Sequence, residues 1–333
     1  MNILVYDVAA SDGGALAILK YFYNIHKEDK NNNYFYLLSD KHVEETDNIK
    51  IIVDDKVKKS WLHRVFCDVF VTKKIIKKYK IEEVLSLQNI IIPFCKLKQT
   101  VYEHNALPFC EYRFSFFGNK KMWVYQNIIG RMMINSIKRA KVVIVQTEWM
   151  KEAVSKYLLD NNKVIVDFPQ VDIPKGVRYS KQKQLVFFYP ANASSFKNHL
   201  NLVKALSLFD DCIKTKMQIV FTLNGNENKN ISKVSSFCKK ENINVLWIGQ
   251  IDRDLMFDYY KSSILVFPSY IETIGLPLFE AKSIESPIVC SELSYSKNIV
   301  GSYEKAIFFN PFDINSIFNS LTLAIGEFFC NEN

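Results

Sequence analysis

No run of about 18 apolar residues occurs anywhere in the 333-residue chain, so no helix is expected to cross a bilayer. The first ten residues, MNILVYDVAA, lack the basic segment of a secretory leader and read directly as a strand. The seven cysteines are scattered singly with no Cys-x-x-Cys pair, which argues against a disulfide framework or a cysteine zinc site. They are expected as buried small hydrophobes in a reducing compartment. His26, His42, His63 and His199 show no metal-ligand spacing, and no Ser-His-Asp set can be inferred. Glycine is scarce, ten in all, and no Gly-x-Gly-x-x-Gly fingerprint is among them, which argues against a dinucleotide site. Low-complexity tracts and short-period repeats are absent as well.

What is present is enough apolar material, 48% of residues, for two cores, in a length that suits two ordinary domains. Ile3–Tyr6, Tyr34–Leu38, Ile51–Val53, Val84–Leu87, Thr100–Glu103 and Val142–Gln146 read as strands. Trp61–Tyr79 and Met122–Arg139 read as helices. Ser11 to Ala15 is expected as the loop after the first strand, where Gly13 and Gly14 let backbone approach a ligand. The pattern lapses between Asp172 and Gln184, a polar, basic stretch with Pro and Gly that predicts a linker. It restarts with strands at Leu185–Tyr189, Gln218–Thr222, Val245–Ile248, Ile264–Phe267, Pro287–Cys290 and Ala306–Phe308. This alternation predicts an α/β protein with doubly wound parallel sheets, one domain over residues 1–175 and a second over 184–333.

The net charge of +8 lies wholly in residues 1–180; the remainder sums to zero. Residues 71–140 alone hold thirteen Lys and Arg against four Asp and Glu, interleaved with Phe114, Phe116, Phe117, Trp123 and Tyr125. Basic residues beside aromatics suit an anionic bilayer surface. No nucleic-acid recognition module accompanies these charges, so no nucleic-acid partner is expected.

The stretch Phe267–Gly301 is the most informative. The strand before it ends at Pro268-Ser269, and Gly275-Leu276-Pro277 starts a helix, with proline at home in the first turn. Such a helix sets free N–H groups and a positive dipole end at the carboxyl edge of a parallel sheet, where phosphorylated ligands bind. Glu272 and Glu280 flank the turn, eight positions apart; Glu280 can accept two hydrogen bonds from a vicinal diol such as a ribose.

Pro-Ser-x-x-Glu-x-x-Gly-Leu-Pro-x-x-Glu-Ala, followed by Pro287-Ile288-Val289, resembles the donor-site signature of retaining nucleotide-sugar glycosyltransferases of the GT-B fold, family 4. The chain departs from the family's usual Gly-Phe between the first Glu and the Gly, having Thr273-Ile274. The resemblance implies two Rossmann-like domains facing across a cleft, and no bound metal or other cofactor. In the family's Gly-Arg-x4-Lys register Lys197 matches the diphosphate lysine, while Asn192 stands where an arginine is expected. Leu223-Asn224-Gly225 offers backbone to the phosphates, and Gly249-Gln250-Ile251 resembles the turn beside the nucleobase. His104, in Glu103-His104-Asn105, resembles the first-domain histidine facing the donor sugar.

The expected assignment follows. Glu280 holds the ribose; Lys197 and the amides of Thr273, Ile274, Gly275 and Leu276 hold the diphosphate; Glu272 and His104 face the sugar. The expected activity is transfer from a nucleoside-diphosphate sugar to a glycan, with a lipid-linked O-antigen or capsule intermediate as acceptor, at the cytoplasmic face of the membrane. An epimerase or phosphorylase on the same fold, and a non-catalytic scaffold that binds a sugar nucleotide, are the alternatives; Asn192 in place of arginine favours the last.

Overall fold

The computed structural model describes residues 1–10 and 13–330. The chain divides into two compact units, Met1–Pro169 and Gln170–Asn333. In the first, seven strands form one parallel sheet: β1 (Asn2–Asp7), β2 (Asn33–Leu38), β3 (Ile49–Val53), β4 (Glu83–Ser86), β5 (Lys98–Glu103), β6 (Val142–Val145) and β7 (Val164–Val166). Their order is β3-β2-β1-β4-β5-β6-β7. The period-2 side-chain alternation of each strand separates two apolar layers. Val5, Tyr36, Leu38 and Leu85 enter one cluster. Leu4, Tyr6, Leu37 and Val84 enter another. The strands are apolar on both faces because helices cover both, as parallel sheets require.

Those helices are α1 (Gly13–Glu28), α2 (Trp61–Phe66), α3 (Thr72–Lys78), α4 (Lys120–Val124), α5 (Gly130–Arg139) and α6 (Glu148–Ser155). The expected helix over 61–79 is interrupted by a π-helical turn at Cys67–Val71, and that over 122–139 by one at Tyr125–Ile129. Gly13 and Gly14 differ from expectation: they open α1 instead of lying in a loop, while Ser11 and Asp12 lie outside the described residues. β7 was not legible as a strand because only three residues, Val-Ile-Val, carry it.

The second unit holds β8 (Leu185–Tyr189), β9 (Met217–Phe221), β10 (Val245–Trp247), β11 (Ile264–Phe267), β12 (Ile288–Ser291) and β13 (Ala306–Phe309), all parallel, in the order β10-β9-β8-β11-β12-β13. Its helices are α7 (His199–Leu206), α8 (Asp211–Lys216), α9 (Lys229–Lys240), α10 (Arg253–Ser262), α11 (Leu276–Ser283), α12 (Ser294–Val300) and α13 (Ile314–Ala324). β11 and β12 are buried at every position. The polar stretch 172–184 has no helix or strand and is tied to this unit: Tyr179 N donates to Ile284 O at 2.8 Å and Ser180 N to Lys261 O at 2.8 Å. Three cysteines are not the buried hydrophobes expected of them: Cys212 and Cys330 are exposed, and Cys95 is half-buried.

Candidate active site

In the second sheet the chain winds outward in both directions from β8 and β11, which lie side by side. Open α/β sheets bind ligands beyond the carboxyl ends of strands at such a switch point. The loops that follow these two strands, 190–198 and 268–275, are laced together. Tyr270 N donates to Phe196 O at 2.8 Å. The Tyr270 hydroxyl donates to Asn198 Oδ1 at 2.6 Å, and Tyr189 donates to Lys197 O at 2.7 Å. Asn198 sits in the left-handed region at φ 61°, which asparagine tolerates, and this turns the chain from the loop into α7. The outcome is an ion pair between Lys197 Nζ and Glu272 Oε1, whose side chains are only 12% and 15% exposed. The Phe196 and Phe267 rings each lie 5.7 Å from the ammonium. A cation and a carboxylate thus meet at the switch point, one from each adjacent strand.

Gly275 caps α11 at φ 75°, ψ 55°, a conformation that side-chain-bearing residues rarely adopt. A Cβ there would lie 3.3 Å from Leu278 Cδ1 and 3.4 Å from Tyr295 Cδ2. Tyr295 in turn donates its hydroxyl to Ser269 O at 2.8 Å, so the glycine lets the loop close against α12. Thr273, Ile274, Gly275 and Leu276 therefore form the turn at the positive end of α11, with Pro277 in the first helical turn.

Glu280, one turn into α11, is buried. Its Oε2 accepts from the Tyr260 hydroxyl at 2.8 Å, and its Oε1 lies 3.0 Å from an Arg253 amino nitrogen. Burial raises its pKa, against the opposing pull of Tyr260 and Arg253. Arg253 also donates through Nε to Asp172 O at 3.2 Å and stacks over the Phe257 ring at 5.3 Å. Sequence reading missed Arg253 and Tyr260. Their spacing of seven residues on one helix was the available signal, since it puts both on the face of α10 that meets α11.

Beside these residues a cavity of about 480 Å³ opens at the carboxyl ends of β8, β9 and β10. Asn192, Gln250 and Ile251 line it, with Asn224 and Met256. Gly225, at φ 88°, lies under the Trp247 ring, 3.2 Å from where its Cβ would be. Glu227, another residue not anticipated, accepts from the Asn224 amide, so a carboxylate occupies a backbone donor expected for phosphate. Asn192 is exposed and accepts from Ser194 N at 3.0 Å, a side-chain turn that shapes the loop without supplying charge. The cation here is therefore Lys197.

In the first unit, His104 follows β5 and its ring is held by the β4 loop. Leu87 O lies 3.0 Å from Nε2, and Asn89 Oδ1 accepts from the His104 amide at 2.7 Å. Asn89 Nδ2 lies 3.2 Å from the same Nε2, so that nitrogen donates to the carbonyl in one tautomer and accepts from the amide in the other. Burial pushes the ring's pKa down to about 4, so it is neutral at pH 7. Beside it, Glu103 is fully buried and its pKa is pushed well up by desolvation; Asp7, at the end of β1, rises to about 7 for the same reason. Among the described residues, no group of three or more His, Cys, Asp or Glu is gathered as metal ligands would be.

Two Rossmann-like parallel-sheet units in succession, the second with a cation–carboxylate pair at its switch point, define the GT-B glycosyltransferase architecture. Residues 174–326, which lie within the second unit, match the family described as Glycosyl transferases group 1. The O-antigen chain mannosyltransferase RfbU of Salmonella typhimurium is 23% identical over 246 residues, 73% of this chain and 65% of that protein. Another curated relative is matched over only 19% of its length, so the chain spans less than two-thirds of the curated relatives it matches. Among solved structures, WaaG, a glycosyltransferase involved in lipopolysaccharide biosynthesis, superposes with a TM-score of 0.68 at 13% identity, covering 98% of this chain and 91% of that one. Anabaena HepE in complex with UDP and glucose gives 0.70 at 14% identity, covering 98% and 90%.

Proposed function

We propose that this chain is a retaining glycosyltransferase that moves a sugar from a nucleoside-diphosphate donor to a glycan acceptor. The observation that carries the reading is the half-buried Lys197–Glu272 pair at the switch point of the second sheet. In the absence of donor the two charges neutralise one another. A diphosphate replaces Glu272 as the partner of Lys197, and the freed carboxylate turns to the sugar hydroxyls. As the glycosidic bond breaks, negative charge grows on the departing diphosphate, and Lys197 with the amides of residues 273–276 stabilises it. The neighbouring rings exclude water, which strengthens that interaction. Glu280, steadied by Arg253 and Tyr260, accepts from the ribose, and the base occupies the cavity at Gln250 and Ile251. The site's own cation fills the role that a metal plays elsewhere, so turnover should survive EDTA. Retention is assigned to same-face attack assisted by the leaving phosphate, with Glu272 holding the sugar hydroxyls.

The names of the relatives support an O-antigen or lipopolysaccharide acceptor; that it is lipid-linked and handled at the cytoplasmic leaflet is part of this proposal. The basic, aromatic-rich segment 71–140 supports attraction of the first unit to that surface. Among the described residues, no helix is long and apolar enough to cross a membrane.

The test is a thermal-shift screen with UDP-, GDP- and ADP-sugars, followed by transfer to isolated lipid-linked glycan and analysis of the anomeric product. Stabilisation by one donor and a product of retained configuration are expected. An inverted product, or binding without transfer, would overturn the reading, the latter in favour of the scaffold role.

A further inference from the structure

The helical run from Trp61 to Lys78 carries an exposed ridge that the fold does not use. Trp61, Leu62, Phe66 and Phe70 are 71%, 77%, 55% and 53% exposed, and the Phe66 and Phe70 rings touch at 5.2 Å. The opposite side of the run is the one that packs. Cys67, Asp68, Thr72 and Ile75 are buried, Asp68 accepts from the Tyr6 hydroxyl, and Arg64 Nε lies 3.1 Å from Asp68 Oδ1. The ridge is therefore presented by a helix already anchored on its other face.

Its spacing is roughly four residues, and the same stripe continues past Phe70 as Lys73, Lys74, Lys77 and Lys78, all exposed. One helix face thus has an apolar half and a basic half, end to end. The only acidic residue between 61 and 78 is Asp68, which is buried against Tyr6, so the run itself carries no exposed carboxylate to oppose its lysines. This run lies mostly ahead of the basic segment that composition singles out.

We propose that this face is a bilayer-insertion element, the Trp61–Phe70 ridge entering the acyl boundary of an anionic membrane while the four lysines meet its headgroups. The inference rests on the membrane reading above and deepens it: charge recruits the first unit, and the ridge makes the attachment penetrate. Charge complementarity selects the occupant. Pairing two copies through this face would gather eight lysines with no exposed acid on either run to balance them, whereas anionic headgroups neutralise each one. Interfacial helices of this design lie in the membrane plane, their apolar face about 5–10 Å deep.

The experiment uses the full chain with phosphatidylglycerol vesicles, and phosphatidylcholine vesicles as control. Wild-type protein is expected to float with phosphatidylglycerol vesicles and to keep a bound fraction when salt rises from about 0.1 M to about 1 M, where screening removes attraction between exposed charges. The triple variant Leu62→Ser, Phe66→Ser, Phe70→Ser should bind about tenfold more weakly at low salt and be released completely at high salt. Replacing Lys73, Lys74, Lys77 and Lys78 by Gln should weaken binding at low salt and leave the bound fraction at high salt equal to that of wild type. Brominated lipid should quench wild-type tryptophan emission, and Trp61→Phe should remove that quenching. Equal salt release of wild type and triple variant, or emission untouched by brominated lipid, overturns the proposal. So does a wild-type dimer in light scattering that the triple variant converts to monomer, which would assign the ridge to a second copy. Donor thermal shift is measured on each variant. If it is lost in wild type too, the transferase reading fails by itself; if retained without insertion, only this proposal fails.

Discussion

At the scale of single residues, Lys197 has the largest expected effect. With Asn192 turned into its own loop, no second cation stands near Lys197 among the contacts described at the switch point. Lys197→Ala should lower kcat by about a hundredfold or more, the loss typical of removing one transition-state donor. Single-turnover kinetics would check it; near-normal turnover would sink the assignment. Glu280 calls for a different pair of measurements, because burial makes it structural as well as a ligand. Glu280→Gln should weaken donor binding by about 1–3 kcal/mol, as for a lost charged hydrogen bond, and should also lower stability by leaving Arg253 without its partner. Tyr260→Phe removes only the hydroxyl and should give a smaller loss in calorimetric donor affinity. If that variant binds donor as well as wild type does, Tyr260 does not orient Glu280.

Asp7 supplies a pH signature. Burial lifts its folded-state pKa to about 7, above the value near 3.9 of an unfolded chain. The stability linked to it is therefore present below about pH 4 and lost as pH rises to about 7. Asp7→Asn needs no proton, so its stability relative to wild type should climb through that interval and level off above it. Urea denaturation of both proteins at several pH values gives the difference. A flat difference would mean that Asp7 ionises freely in the fold.

At the scale of elements, the turn into α11 depends on a single backbone conformation. Gly275→Ala places a Cβ at φ 75°, within 3.3 Å of Leu278 and 3.4 Å of Tyr295. A cost of about 1–3 kcal/mol in unfolding free energy is expected from such strain. The larger consequence should be on function, since the turn can relax only by moving the amides of residues 273–276. Donor affinity should fall more than the equivalent loss at Gly14, which meets nothing within 4 Å. Equal effects at both positions would show that the turn is not part of the site.

At the scale of the molecule, each unit has its own sheet and its own core, so unfolding should depart from a single two-state transition. A nucleoside diphosphate at about a hundred times its Kd should stabilise only the second unit, by about 2.7 kcal/mol. Hydrogen exchange can assign the shift: protection should rise along β8, β9 and β11 and stay constant along β1 and β4. Uniform protection of both sheets would refute a nucleoside-diphosphate site confined to the second unit.

The sequence by itself determined the class of fold, because buried parallel strands read as short apolar runs and their alternation with helices leaves few topologies. It also determined the neighbourhood of the site, since Glu272, Gly275, Pro277 and Glu280 mark a strand-to-helix turn within nine residues of chain. Only the tertiary structure decided the partners. Lys197 meets Glu272 across 75 residues of sequence, because β8 and β11 become neighbours only when the strand order reverses. Arg253 and Tyr260 reach Glu280 because α10 packs on α11, and Glu227 takes an amide that local pattern reserves for phosphate. Gly13 and Gly14 were legible as flexible positions, but whether they form a loop or a first helical turn is settled by packing. The periodicity of 61–79 predicted one amphipathic helix; the π-helical turn decided which apolar residues face the core and which form the exposed ridge. Sequence fixes spacing along the chain, whereas pairing energies between distant segments depend on which strands become neighbours.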